Sequence, residues 1–148
     1  MRQIFAAVAV GAVLLPGVAA ACAQLTAFAV DSLLRADIIL VGEVTGFERV
    51  SEAPGAALVT VRVSEAIKGG AGAEMVLIWN DGGAMGPSEA RARGRVVIGA
   101  MATGRASATM VTDLRPDLPM IAQPFCGDVW MQPATPDMVA AVHGLTAP

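Results

Sequence analysis

The residues able to do chemistry in this 148-residue chain are few: two cysteines, Cys22 and Cys126, a single histidine, His143, and three alternating arginines, Arg91, Arg93 and Arg95. In an oxidising compartment an even pair of cysteines predicts one disulfide, joining Cys22 to the stretch before the last helix. In the chain-entropy picture, closing a loop of about a hundred residues stabilises by roughly 4 to 5 kcal/mol. Two cysteines and one histidine do not by themselves make a four-ligand zinc site. Other fates of Cys22 stay open: acylation as a lipid anchor, or a free position at the mature N-terminus, either of which leaves Cys126 a free thiol. Non-reducing mass spectrometry of the exported protein separates them. The disulfide predicts a mass two hydrogens below the reduced form, with no acyl addition.

The arginines at 91, 93 and 95 would all point to one side of an extended chain, a small cationic stripe with room for one acidic partner. The same charges in a solvated loop leading into a strand need no ligand. His143 falls in the last turn of the final helix, where a cation suits the helix dipole, and that placement fits a surface residue better than a catalytic base. Ser64, Ser88 and Ser107 lie in no Gly-x-Ser-x-Gly elbow. Gly99 to Ala106 mimics a phosphate-loop spacing, but Arg105 stands for the lysine and Ala106 for the hydroxyl residue. Asp113, Asp117 and Asp128 are spread over loops and would bind a hard cation only if the fold gathered them. No catalytic residue, metal ligand or cofactor is assigned. Trp79 and Trp130 read as core residues, and the methionines as core filling.

Elements must position these groups. Arg2, an apolar run from Ile4 to Leu15, the break at Pro16-Gly17 and the small residues Ala19-Ala20-Ala21 predict a signal peptide over residues 1–21. The apolar run of about a dozen residues is shorter than the roughly 20 a membrane-spanning helix needs. Ala19-Ala20-Ala21-Cys22 also resembles a lipoprotein box without its usual leading leucine. Residues 22–148 are then one domain, with an apolar content of 55% that is ample for one core. The net charge of −3, with its charges scattered, favours neither nucleic acid nor an anionic membrane surface.

Leu25 to Arg35 carries apolar residues at three-and-four spacing and predicts a short helix. Ala36 to Val44 is a continuous apolar run, and Ala57 to Gly69 alternates Val59, Val61 and Val63 with Thr60, Arg62 and Ser64. With Pro54-Gly55 between them, the two predict a long hairpin whose first strand is buried heavily. Further strands are expected over Glu74–Trp79, Arg95–Met101 and Ala108–Asp113, with a glycine turn at residues 69–72 and an exposed loop at Ala84–Gly94. Pro116, Pro119 and Pro124 make Leu114–Pro124 an extended loop. Thr135 as N-cap and Pro136 at the first helical position start a final helix that Gly144 stops.

The cysteine heading the mature chain, the short helix, Ala36-Asp37 opening a strand that ends in Gly42-Glu43-Val44, the strand closing in Ile67-Lys68-Gly69, the Gly94 to Val97 strand and the late Cys126 together resemble the netrin-like module. This is the domain shared with tissue inhibitors of metalloproteinases, here in a short bacterial exported form. The resemblance implies a mainly β fold, a five-stranded OB-like Greek-key barrel with a short N-terminal and a C-terminal helix. In the inhibitors of that family the mature N-terminal cysteine chelates the zinc of the target protease, a role that would fall on Cys22. They open with Cys-x-Cys, whereas this chain has Cys22-Ala23-Gln24. The expectation is a periplasmic or secreted, non-enzymatic binding module with a protein partner or an envelope association. The alternatives are a metalloprotease inhibitor acting through Cys22 and an enzyme of unrecognised type.

Overall fold

The computed structural model describes residues 27–52, 55–80, 87–103, 114–123 and 127–147. The segment expected to be a signal peptide, Cys22, Cys126 and the strand expected over Ala108–Asp113 lie outside the described residues. Among the described residues six strands form one sheet: β1 (Ile38–Glu52), β2 (Gly55–Lys68), β3 (Glu74–Trp79), β4 (Arg95–Met101), β5 (Met120–Ile121) and β6 (Met131–Pro133). A 3₁₀ helix (Val30–Arg35) precedes them, α1 (Pro87–Ala92) lies between β3 and β4, and α2 (Pro136–Thr146) follows β6. No helix among the described residues is long and apolar enough to cross a membrane.

The sheet closes on itself. Neighbours run β1-β2-β3-β5-β4, and β4 pairs back onto β1, so five strands complete a barrel. One edge of β4 serves β1 from Arg95 to Ala100; its other edge is shared, Val96–Ile98 with β6 and Ala100–Met101 with β5. β3 and β5 are parallel and the remaining pairs antiparallel, giving the OB-like barrel that the resemblance implied.

The long hairpin forms as the residue pattern predicts, but its first strand does not end at Val44: it runs on through the polar stretch to Glu52, opposite Gly55 at the tip. β1 bends round the barrel through four register shifts against β2, because each inserted residue kinks a strand and increases its twist. Its unbroken apolar run has a plain cause. Leu40 and Val44 point into the barrel with Val59, Val61, Leu77, Trp79, Val96 and Ile98, while Ile39 and Val41 join a second core on the outside with Leu33, Ala36, Val97, Trp130 and Val142. A strand buried on both faces has no position left for a polar residue.

Four further expectations are corrected by the structure. The N-terminal helix is a 3₁₀ segment of six residues, because Ala29 before it is extended and no side chain caps the start; at its other end the Lys68 ammonium donates to the carbonyls of Leu34 (2.9 Å) and Ala36 (2.6 Å). The expected loop at Ala84–Gly94 contains α1, with Ala90 buried in the barrel core. Pro87 there marks a first helical position rather than a turn, and Gly94, at φ +62°, turns the chain into β4. The proline-punctuated loop contains β5, where Ile78 N–H donates to the Pro119 carbonyl at 2.9 Å. α2 runs past Gly144 to Thr146, whose hydroxyl bonds the Val142 carbonyl at 3.0 Å. Its start is as expected: the Thr135 hydroxyl accepts from Met138 N–H at 3.2 Å, a cap of about 1 kcal/mol.

Candidate functional site

Cross-strand register, not sequence spacing, assembles the charged groups. Glu43 on β1 is paired with Arg62 of β2 on one side and with Arg95 of β4 on the other. Glu74 on β3 continues the row beyond Arg62. Adjacent strands lie about 4.8 Å apart, so the Arg62 and Arg95 backbones flank Glu43 at a separation near 10 Å. A hollow of about 330 Å³ opens here, lined by Gly42, Glu43, Arg62, Val63, Ser64 and Arg95. Val63 and the backbone of Gly42 give it an apolar wall.

The polar contacts within this hollow are loose. Arg62 Nη1 lies 3.5 Å from Glu43 Oε2, and the two side chains are 69% and 61% exposed. Such a pair is longer than a charge-assisted hydrogen bond of about 2.8 Å and contributes roughly 0 to 1 kcal/mol. Ser64, the extra residue of a bulge on β2, donates its hydroxyl to the Val41 carbonyl at 3.1 Å. That geometry makes it a clasp for the bulge.

The three alternating arginines do not share one extended stretch of backbone. Arg91 belongs to α1, so the backbone is not extended through the segment. Arg93 Nη1 donates to the Met131 carbonyl at 2.7 Å and ties the α1–β4 turn to β6. Arg95 lines the hollow, where its companion is Arg62, which the sequence did not single out.

A second, larger hollow of about 510 Å³ lies along β1, β2 and β3, lined by Gly46, Phe47, Glu48, Leu58, Thr60, Val76, Arg115 and Leu118. The register sets Thr60 between Gly46 and Val76, and Leu58 between Glu48 and Ile78. Leu58 and Leu118 pack over the buried pair Ala56 and Ile78 and form an apolar floor. Val76 stands 37% exposed. Arg115 grips Asp117 with two bonds, Nε to Oδ1 at 3.0 Å and Nη2 to Oδ2 at 2.8 Å. That fork holds the Asp117 carboxyl below the usual carboxylate range and raises Arg115 further.

The remaining candidates have structural partners. His143 Nε2 lies 2.7 Å from Glu65 Oε1 and links α2 to β2. Asp128 Oδ2 accepts from Phe28 N–H at 3.1 Å. Asp117 is taken by Arg115, and Asp113 lies outside the described residues. Trp79 is buried in the barrel, as expected, and Trp130 in the outer core. Among the described residues no group of three or more histidine, cysteine, aspartate or glutamate side chains is placed to hold a metal ion. Neither a scan against models of known protein families nor a search of curated proteins returns a match for this chain.

Proposed function

We propose that the chain is an exported binding module that holds a segment of a partner protein in the hollow along β1, β2 and β3. The observation that carries this reading is the exposed Val76 beside the half-buried Leu58 and Leu118. An apolar floor with Glu48 on its rim, and with Arg115 there already paired to Asp117, is how peptide grooves combine affinity with orientation. The partner segment would present aliphatic side chains to Leu58, Val76 and Leu118, with a basic residue toward Glu48. A rigid barrel carrying such a face needs no catalytic group to act.

The test is recovery of the partner from the envelope or secreted fraction, followed by affinity measurement with the purified partner. Val76→Asp is expected to weaken binding about tenfold or more, because a carboxylate would be desolvated against the apolar floor. Leu145→Asp, at an exposed position on α2, is the matched control and should bind like the unaltered protein. Equal binding by the two variants rules the groove out.

A further inference from the structure

We infer that Arg62 and Arg95 form a site for a ligand's carboxylate in the smaller hollow, apart from the peptide groove, with which it shares no lining residue. The two guanidinium groups arise on strands either side of β1 and flank the same residue, Glu43. Their stems are long enough to converge over that residue from backbones about 10 Å apart. Within the lining, two guanidinium groups and one carboxylate leave a single positive charge, which one ligand carboxylate balances; Glu74 lies beyond Arg62 in the row, outside the lining.

The present partners leave both arginines available. Arg62 makes only the loose 3.5 Å contact with Glu43. The Arg95 side chain has no hydrogen bond or ion pair among the described residues, whereas nearby Arg93 is committed to the Met131 carbonyl. Exchanging a long, solvated contact for the planar, two-pronged grip that guanidinium gives a carboxylate is favourable. The hollow's volume of about 330 Å³ is at the small end of ligand pockets. It suits a short dicarboxylate or an acidic side chain, with methylenes against Val63 and Gly42.

Titration of ¹⁵N-labelled protein with glutarate, at fixed pH and ionic strength, tests this. The amides of Gly42, Glu43, Val63, Ser64 and Arg95 are expected to shift saturably, with a dissociation constant on the order of millimolar. Arg62→Gln and Arg95→Gln should each weaken binding about tenfold, and Arg35→Gln, on the exposed 3₁₀ helix, should not. Backbone spectra that match the unaltered protein away from the hollow show that the variants are folded. Shifts that grow linearly with glutarate, persist in the Arg62 and Arg95 variants, or are produced more tightly by phosphate overturn the assignment.

Discussion

Trp79→Ala is expected to cost about 3 to 5 kcal/mol, the range for deleting a large aromatic from a packed interior. For a domain of this size that corresponds to a melting temperature lower by roughly 10 to 20 °C. Trp79 is 2% exposed, lies among the side chains of the barrel interior and meets Phe47 edge to face, ring centres 6.3 Å apart at 78°. In a chain with 4% aromatic residues and no tyrosine, the ring at hand is Phe47, and moving it into the space would leave a gap of its own. Trp79 also does a polar job: its Nε1–H donates to Gln123 Oε1 at 3.2 Å, and Gln123 Nε2 donates onward to the Gly127 carbonyl at 3.2 Å. Trp79→Phe separates the two effects. It keeps much of the packing, removes the indole donor, and is expected to cost distinctly less than Trp79→Ala, with about 1 kcal/mol of its loss from the unpaired amide oxygen. Urea melts of both variants decide this, and equal losses would mean that the indole donor, not the buried ring, dominates.

Gly42→Ala is expected to cost about 2 to 3 kcal/mol, at the upper end for overpacking by one carbon. A Cβ there would sit 2.5 Å from the Arg62 carbonyl oxygen and 2.6 Å from Val61 Cγ1. The first of these is backbone, held in the β1–β2 ladder, and it can retreat only if the two strands part. Gly70→Ala is the control, since its Cβ would meet nothing within 4 Å. It should change stability by no more than about 0.5 kcal/mol. A denaturation midpoint for Gly42→Ala equal to that of Gly70→Ala would show that the ladder yields more easily than its geometry implies.

Much of the barrel was legible because its four long strands carry strong local patterns. The Pro54-Gly55 hairpin, the alternating valines of β2, and the bounds of β3 and β4 all follow from periodicity and turn residues. What escaped was short. β5 and β6 have two and three residues, too few for any period to register, and α1 has fewer than two turns. They exist because the closed sheet offers them unpaired edges, which is a property of the whole fold.

The candidate hollow was hidden for a related reason. Counting outward from Glu52 opposite Gly55 would set Glu43 against Ser64, but two of the register shifts intervene and bring Arg62 there instead. Arg95 was noticed, yet for its neighbours at 91 and 93, of which the first lies in the short helix and the second donates to the Met131 carbonyl. Bulges are cheap in sequence and decisive in space.

The apolar run of β1 makes it a party wall between two compartments, one inside the barrel and one beneath the flanking helices. Neither compartment can be opened without exposing a face of the same strand to water. Loosening α2 or the 3₁₀ segment would wet Ile39 and Val41, whose neighbours along the backbone hold the interior together. The helices are therefore bound into the barrel's cooperative unit, and the domain should melt as one body.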